Sequence, residues 1–407
     1  METHIAIYIS NNDDKHKLLE SIQTKALVGN LTNLKGALFS EIALNKFILE
    51  ETRHGHFDVT TQTKNSLKNS SQGERKKALL NHIIAKNPEY IIVDNVFDSL
   101  DVNAQQTIQN TLEHLSKSTL IIQITNRKRD LLPFINTIYH WKEGKLELLN
   151  TMDVSKQKKI FIEDLPPPYN PIDTNVENLV KLNNVTVTYG ERVIVNAICW
   201  EIKPGEFWQL IGPNGSGKST LITLITGDNP KGYLQDMVLF GMQKGSGESV
   251  WEIKRNIGYF SSEMLRGFMR SDSIENMIIS GFLDSIGLYK FPSDRQILIA
   301  HQWLRILNMY EIKDKSFQFL SDGHKRLVLI ARAMVKQPPL LILDEPTNGL
   351  DDADAEIFAE LVNKIATEST TAILYVSHRN EEKLLKPDFI YELEPEQTGS
   401  VGKLITV

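Results

Sequence analysis

The sequence predicts an α/β protein built from two similar halves, and three observations support this fold class. Its 407 residues, of which 41% are apolar and 24% charged, are more than one ordinary domain holds. Short apolar runs that end in a carboxylate alternate with helical patterns, as they do in parallel sheets covered by helices. The second half also repeats a series of short motifs found in the first half. We therefore expect two α/β domains in tandem.

The repeat is an ordered series of matches at one spacing. Ser71-Gln72-Gly73 corresponds to Ser321-Asp322-Gly323, and the apolar run that ends at Asp94 corresponds to the run that ends at Asp344. Each pair is 250 positions apart. Chance supplies single matches of this kind, but an ordered series at constant spacing indicates a duplicated domain.

The first domain is expected at 1–150, a linker at 151–176 and the second domain at 177–407. Residues 165–171 read LPPPYNP, and prolines make such a segment stiff and unable to pair as a central strand. Lys218 and Ser321 of the second half are 103 positions apart, whereas Lys35 and Ser71 of the first half are 36 apart. The first domain is therefore predicted to lack most of the segment between these motifs.

The sequence GPNGSGKST at 212–220 matches the phosphate-loop pattern GxxxxGK[ST], with a strand pattern before it and a helical pattern after it. Small residues let backbone N–H groups converge on phosphate oxygens, and the helix N-terminus adds positive potential. Lys218 is expected to bridge the outer phosphates, and the Ser219 hydroxyl to bind Mg²⁺. The residues predicted to bind nucleotide are Gly212, Pro213, Asn214, Gly215, Ser216, Gly217, Lys218, Ser219 and Thr220.

Two carboxylates follow the apolar run LLILD at 340–344. Downstream of a phosphate loop, Asp344 is predicted to hold hydrated Mg²⁺, and Glu345 to polarise the attacking water as general base. His378 follows another apolar run and is expected to contact the γ-phosphate, although a lone histidine at a strand end is more often structural. Tyr189 is expected to stack on adenine, with an ordinary strand-end aromatic as the alternative.

Together these motifs resemble the nucleotide-binding domain of ATP-binding-cassette (ABC) proteins over 177–407. The resemblance includes LSDGH at 320–324, which corresponds to the signature sequence of the family. It implies an ATP hydrolase that uses ATP and Mg²⁺. Residues 276–296 further resemble soluble tandem-cassette proteins of the ModF and photorepair (PhrA) type, which are linked by name to molybdate uptake.

The chain departs from the family pattern at one functional position. The family places a glutamine after the strand that reads IGYF at 257–260, where it touches Mg²⁺ and the attacking water. This chain has Ser261-Ser262-Glu263 there. Ser262 and Glu263 are both open as replacements, and the change weighs against coupling to a permease.

The first half is predicted to be a degenerate cassette. Its expected phosphate-loop counterpart is 29–36, in which the lysine is kept but Leu34 and Gly36 replace the last glycine and the Mg²⁺-binding hydroxyl. Asn95 and Asn126 replace the catalytic glutamate and histidine. Because an amide cannot act as a general base at neutral pH, no hydrolysis is expected in this half.

The resemblance also implies that ATP lies between the phosphate loop of one cassette and the signature sequence of the other. Ser71 and Gly73 keep the signature chemistry, so they are predicted to complete the site of the second half within one chain. A helix N-cap is the alternative role for Ser71. A homodimer, in which Ser321 of a second chain completes the site, is the rival architecture.

Composition narrows the range of partners and compartments. The net charge of −6 argues against a nucleic-acid groove. Cys199 is the one cysteine, so an intramolecular disulfide and a cysteine zinc site are excluded, which fits a reducing cytoplasm. The chain shows neither a signal-peptide pattern at its start nor an apolar run that could span a membrane. A cytoplasmic protein is expected, with a peripheral position at the inner face of the plasma membrane left open.

Three functions follow, in order of preference. The first is a tandem ABC ATPase with one competent composite site, acting as an energy-coupling or regulatory clamp of the ModF type. The second is the ATPase subunit of a membrane importer with separate permease chains. The third is a translation or nucleic-acid factor, which the short linker and the acidic charge disfavour. The partners considered are therefore ATP and either a permease or a cytosolic protein.

Overall fold

The structure is a computed structural model. It describes residues 3–11, 13–24, 31, 34–55, 57–61, 66–149, 161–169, 176–267, 271–285, 287–377 and 384–406. The chain divides into two compact units. The first unit comprises Met1–Lys156 and Gly349–Asp352, and the second comprises Gln157–Asn348 and Ala353–Val407. No helix in the described ranges is long and apolar enough to cross a membrane.

The first unit contains a six-stranded sheet with helices between its strands. The strand order is β2-β3-β4-β1-β5-β6, and all neighbours are parallel except β5 and β6. Its elements are β1 (Ile5–Tyr8), α1 (Lys15–Thr24), β2 (Gly36–Phe39), α2 (Glu41–His54), α3 (Gln72–Ala85), β3 (Tyr90–Asp94), α4 (Val102–Leu115), β4 (Leu120–Thr125), β5 (Thr137–Lys142) and β6 (Lys145–Leu148).

The second unit contains two sheets. An antiparallel sheet has the order β11-β10-β7-β8, and a six-stranded sheet has the order β12-β13-β14-β9-β15-β16. The elements are β7 (Val180–Tyr189), β8 (Arg192–Ile202), β9 (Phe207–Ile211), α5 (Lys218–Ile225), β10 (Asp236–Leu239), β11 (Met242–Gln243), α6 (Val250–Arg255), β12 (Ile257–Ser261), α7 (Met264–Gly267), α8 (Ile274–Ile279), α9 (Asp294–Ile306), α10 (Asp322–Met334), β13 (Leu340–Asp344), α11 (Asp352–Glu368), β14 (Ala372–Val376), β15 (Phe389–Glu394) and β16 (Val401–Thr406).

The two six-stranded sheets share one topology. In each, the first strand of the repeat lies fourth in the order, and only the last strand is antiparallel to its neighbour. This confirms the prediction of two related α/β domains. Among the described residues, the first unit has no counterpart of the antiparallel sheet β7, β8, β10 and β11, so its truncation removes a whole layer.

The core strand β13 explains why the sequence signal was strong there. Leu340, Leu341, Ile342 and Leu343 are all fully buried. A parallel strand with helices on both faces has no solvent side, so its sequence is continuously apolar until the strand ends. The carboxylates that follow therefore lie at the carboxyl edge of the sheet, where open α/β sheets bind their ligands.

The topology corrects the expected phosphate-loop counterpart of the first unit. The strand equivalent to β9 is β1, and the loop after it leads into α1 at Lys15. The stretch 29–36 instead leads into β2, the counterpart of β12. Lys35 donates from Nζ to the Lys86 carbonyl at 2.5 Å, at the end of α3, where a cation stabilises the helix C-terminus. Gly29, Asn30, Thr32 and Asn33 lie outside the described residues.

Candidate nucleotide site

The phosphate loop of the second unit lies between β9 and α5, as predicted. Gly217 has φ 97°, and a Cβ there would lie 2.6 Å from Cγ1 of Val195. At Gly212 a Cβ would lie 2.7 Å from Oγ of Ser216 and 2.9 Å from the carbonyl oxygen of Leu393. Both positions therefore require glycine, because any side chain would push the loop away from its neighbours.

The polar groups of this loop fit a polyphosphate ligand. Lys218 is buried, and its Nζ donates to the carbonyls of Gly212 at 2.7 Å and Pro213 at 3.1 Å, which hold the ammonium over the loop. The Ser216 hydroxyl is fully buried and has no hydrogen-bond partner within the described part of the chain. A buried, unsatisfied hydroxyl beside a fixed ammonium is the environment that a phosphate oxygen would complete.

Asp344 ends β13 and is held by Tyr259. The Tyr259 hydroxyl donates to Oδ2 of Asp344 at 3.3 Å. Burial of the carboxyl raises the pKa of Asp344 to about 6, and the neighbouring charge of Glu345 adds to the shift. Lys218 is close enough to oppose this rise in the pKa. A buried carboxylate that is costly to ionise, with a cation nearby, is suited to holding a divalent metal.

Glu345 has a strained backbone that is fixed on both sides. Its φ is 47°, which is unusual for a residue with a side chain. Its N–H donates to the Val376 carbonyl at 2.9 Å, and its Oε2 accepts from Nδ2 of Asn348 at 2.6 Å. Strain of this kind persists where the surroundings overdetermine it and is frequent at active sites. The carboxylate is therefore oriented rather than free to rotate.

These groups also fit Mg²⁺. Ser219 is exposed at the second residue of α5, on the same edge of the sheet as Asp344. No group of three or more His, Cys, Asp and Glu that could hold a metal ion occurs among the described residues. Mg²⁺ does not require one, because it keeps several waters and binds through one or two protein oxygens plus substrate phosphates.

The structure describes Tyr189, which is predicted to stack on adenine, but not His378, which is predicted to contact the γ-phosphate. Tyr189 ends β7, is 47% exposed, and accepts at its hydroxyl from Nδ2 of Asn229 at 2.9 Å. The ring is thus fixed and still accessible to a base. His378 lies outside the described residues.

Two residues are open as replacements for the glutamine that the family has after β12. The Ser262 N–H donates to the Asp344 carbonyl at 3.3 Å, and the Glu263 charge raises the pKa of Asp344.

The two signature serines both begin helices. Ser71 is the N-cap of α3, and a reciprocal capping box joins it to Glu74. Its N–H and Oγ each donate to Oε2 of Glu74 at 2.8 Å. Ser321 is likewise the N-cap of α10, with its Oγ 2.7 Å from Nδ1 of His324. The helix N-cap, which is the alternative role for Ser71 in the sequence analysis, is confirmed. The N-terminus of α3 therefore lies at the signature serine.

Gly73 occupies the third signature position, in the first turn of α3. A Cβ there would make only ordinary contact, 3.4 Å from Cβ of Ala104. At the equivalent Gly323 a Cβ would lie 2.3–2.4 Å from the carboxyl group of Asp354. A Cβ at Gly323 would therefore require the Asp354 carboxyl to move, whereas a Cβ at Gly73 would require no shift.

In the first unit, an internal ion pair joins the counterparts of the catalytic groups. Nζ of Lys15 lies 2.6 Å from Oδ1 of Asp94, whose side chain is 3% exposed. Burial raises the pKa of Asp94, and Lys15 partly opposes the rise. Asn95 shares the left-handed backbone of Glu345, with φ 44°. The backbone turn of the duplicated site is thus retained, but Asp94, the counterpart of Asp344, is paired with a lysine.

The loops after β1 and β4 make further contacts within the first unit, to its segment Gly349–Asp352. The Ser10 hydroxyl and the Asn11 N–H each donate to Oδ2 of Asp351 at 2.9 Å. Nε of Arg127 donates to the Leu350 carbonyl at 2.5 Å. The polar groups that would face phosphates in an active loop therefore bind a carboxylate of the protein itself.

Sequence reasoning missed Lys15 because the loop before it lacks glycines. A signal was nevertheless present in the helix. Lys15, Leu18 and Ile22 have the same spacing as the second unit's Lys218, Leu221 and Ile225, and the apolar members of both sets are buried. Tyr259 was also missed, because its bond to Asp344 joins residues of different strands and has no local pattern. Asn348 was missed although its bond to Glu345 spans only three residues.

Comparison with known proteins agrees with this geometry. Residues 195–348 match the family described as ABC transporter. The ABC transporter ATP-binding protein ModF of Escherichia coli (strain K12) is 38% identical over 342 residues, which cover 80% of this chain and 70% of that protein. The zinc import ATP-binding protein ZnuC of Yersinia pestis bv. Antiqua (strain Antiqua) is 32% identical over 52% of this chain and 74% of its own length.

A solved structure matches the whole chain. A structure described as ribosome-bound archaeal Pelota and ABCE1 covers 100% of this chain and 75% of the matched chain, with a TM-score of 0.65 and 14% identity. At that identity the likeness shows the fold alone. The fold, the family match and the identity to ModF agree, and the chain belongs to the ABC transporter family of ATP-binding proteins, as an ATPase with two cassettes in tandem.

Proposed function

We propose that the second unit binds and hydrolyses ATP, and that the chain, which is similar to the ABC transporter ATP-binding protein ModF, acts as an ATP-driven energy-coupling or regulatory clamp. One observation supports the first part of this proposal, the binding and hydrolysis of ATP by the second unit. Lys218, Asp344 and the fixed carboxylate of Glu345 lie at the same carboxyl edge of one sheet, and the charges of Lys218 and Glu345 both act on Asp344. The first unit has amides and an internal ion pair at the matching positions.

Each group has a distinct role in this proposal. Backbone N–H groups of the loop and the Lys218 ammonium bind the outer phosphates. Asp344 and Ser219 would hold Mg²⁺, which neutralises charge on the phosphates when bound. Glu345, oriented by Asn348, accepts the proton of the attacking water. The positive φ of Glu345 keeps this carboxylate at the edge of the sheet.

The composite site is a further part of the proposal. The first unit has lost its own chemistry, yet it keeps a serine N-cap and a glycine at the start of α3. Packing does not explain the glycine, because Gly73 has room for a side chain. A helix N-terminus with a serine hydroxyl is a ready anion site. We therefore assign Ser71 and Gly73 to the γ-phosphate of the ATP that the second unit binds.

A stoichiometry measurement tests this function. Glu345→Gln keeps the shape of the side chain but removes its basicity, so the variant is expected to retain ATP while hydrolysis falls at least 100-fold. Equilibrium dialysis should find one tightly bound ATP per chain. Asn95→Gln is the matched control at the duplicated position and should hydrolyse ATP at the wild-type rate. Two tightly bound ATP molecules, or equal losses in both variants, would contradict the proposal.

Two other functions remain as alternatives. The similarity to ZnuC favours an importer ATPase. A translation factor stays the third candidate from the sequence, since the likeness to ABCE1 shows only the fold. The ATP-trapped Glu345→Gln protein separates the three in a lysate pull-down. A recovered permease supports the importer and recovered ribosomes support the translation factor. A clamp of the ModF type predicts neither, with ATP retained.

A further inference from the structure

We propose that the turn between β15 and β16, residues 395–400, forms the nucleoside subsite of the ATP site and selects the sugar and base by hydrogen bonding. This inference rests on the proposed binding of ATP by the second unit. Beside the phosphate loop there is a cleft of about 330 Å³. Its walls include Glu191, Arg192, Gly215, Glu396, Gln397 and Gly399.

The cleft is placed where a nucleotide bound at its phosphates would extend. Strands β9 and β15 are parallel neighbours, so the phosphate loop after β9 and the turn after β15 emerge at the same edge of the sheet. The loop also packs directly on both walls. Gly217 abuts Ile194 and Val195 of β8, and Gly212 abuts Leu393 at the end of β15.

The turn is held in a fixed position against β8. The Ser400 N–H donates to the Ile194 carbonyl at 2.9 Å, and the Asn196 N–H donates to the Ser400 carbonyl at 2.8 Å. Gly399 has φ 104°, and a Cβ there would lie 2.6 Å from Cγ1 of Val193. The backbone is thus fixed at Gly399 and Ser400, which restricts where the neighbouring Glu396 and Gln397 leave the chain and lowers the cost of ordering them on binding.

The walls carry two carboxylates, Glu191 and Glu396, against one guanidinium, Arg192, so their net charge does not favour a phosphate. Carboxylates of Glu191 and Glu396 repel anions but accept hydrogen bonds, and the Gln397 amide both donates and accepts. The donors of adenosine are the ribose hydroxyls and the exocyclic amine. Guanine presents a carbonyl oxygen in place of that amine, so a carboxylate that faces position 6 of the purine would favour adenine. The volume is at the lower end of the range of about 300–1,000 Å³ for small-molecule pockets.

The test compares ATP with inorganic tripolyphosphate, which engages only the phosphate loop. Dissociation constants are measured by calorimetry for the wild type, Glu396→Gln, Gln397→Ala and the control Glu356→Gln, an exposed change on α11. Because a charge-assisted hydrogen bond becomes a neutral one, Glu396→Gln should weaken ATP about tenfold. Tripolyphosphate should bind equally well or better, and the control should change neither.

Two analogues of ATP, 2′-deoxy-ATP and GTP, identify which hydrogen-bond donor of the nucleoside Glu396 contacts. If Glu396 accepts from the ribose, 2′-deoxy-ATP should bind the wild type and Glu396→Gln alike. If it accepts from the amine, GTP should do so instead. Tyr189→Ala is expected to weaken ATP and GTP by the same factor, because stacking does not depend on hydrogen-bonding edges.

The outcomes separate this inference from the proposed function. If wild-type protein binds tripolyphosphate and ATP but both turn variants keep the wild-type ratio of the two dissociation constants, the turn is not the nucleoside subsite. If the wild type binds neither ligand, the proposed ATP site fails and the subsite fails with it. Thermal melts of each variant show whether a changed ratio of the two dissociation constants reflects unfolding.

Discussion

Asp344→Asn should stabilise the nucleotide-free protein while abolishing its hydrolysis of ATP. The carboxyl of Asp344 is mostly buried, and its pKa is raised from 3.8 to about 6. A carboxyl whose pKa is higher in the folded state binds protons more tightly when folded, so stability falls as pH rises through this window. Above pH 6 the folded protein carries the full cost of the ionised group, and Asn removes that cost. The Tyr259 hydroxyl can still donate to the amide oxygen.

The magnitude follows from the rise in the pKa of Asp344 from 3.8 to about 6. At roughly 1.4 kcal/mol per unit, the largest gain in the free energy of unfolding is about 3 kcal/mol at pH 8. At pH 5 the folded carboxyl is mostly protonated and the gain is about half as large. Partial solvent access lowers both figures, but the gain at pH 8 should still clearly exceed the gain at pH 5.

The assay is guanidinium unfolding followed by tryptophan fluorescence in the presence of EDTA. Four of the five tryptophans lie in the second unit and report its unfolding, namely Trp200, Trp208, Trp251 and Trp303. Asp294→Asn, the same chemical change at an exposed position on α9, is the matched control. A loss of stability at pH 8, or a gain that does not change between pH 5 and pH 8, would refute the reasoning about burial.

Three further predictions concern the other parts of the site. Lys15→Met should destabilise the first unit by about 1–3 kcal/mol at pH 7, because it leaves Asp94 buried without its partner; urea melts should show the loss shrinking as pH falls and Asp94 is protonated, and a loss independent of pH would contradict this. Gly217→Ala should abolish tripolyphosphate binding in calorimetry, since its Cβ would clash with Val195, and near wild-type affinity would exclude that close approach. Glu345→Gln should lower the ATP hydrolysis rate across the whole range from pH 6 to pH 9, and recovery at high pH would argue against its role as general base.

The sequence predicted the second unit better than the first, and the reason is physical. Its phosphate loop is constrained by contacts that only glycine allows, as at Gly212 and Gly217, so the motif is complete. The run before Asp344 is buried on both faces, so it is continuously apolar. Where structure imposes such local constraints, the pattern of residues identifies both the element and the chemistry.

The first unit shows where that reasoning stops. A loop that no longer binds phosphate does not need glycine, so the loop before Lys15 has no recognisable motif, and the sequence pattern favours Lys35 as the lysine of the phosphate loop. The topology, with β1 in the place of β9, corrects this. The capping role of Ser71 could be predicted from the serine and Glu74 three residues later. The Asn348–Glu345 bond spans only three residues and was open to the same reasoning. The bond of Tyr259 to Asp344 joins distant parts of the chain, depends on tertiary packing and could not be predicted.

The most direct test of the central claim, that one chain completes its own ATP site, compares the ATPase rates of Ser71→Arg and Ser321→Arg. Both serines are helix N-caps, so the two changes carry similar costs in stability, of about 0.5–2 kcal/mol. The account predicts loss of hydrolysis with Ser71→Arg and a rate near that of the wild type with Ser321→Arg. The reverse pattern would contradict it and would indicate a site completed by a second copy of the chain.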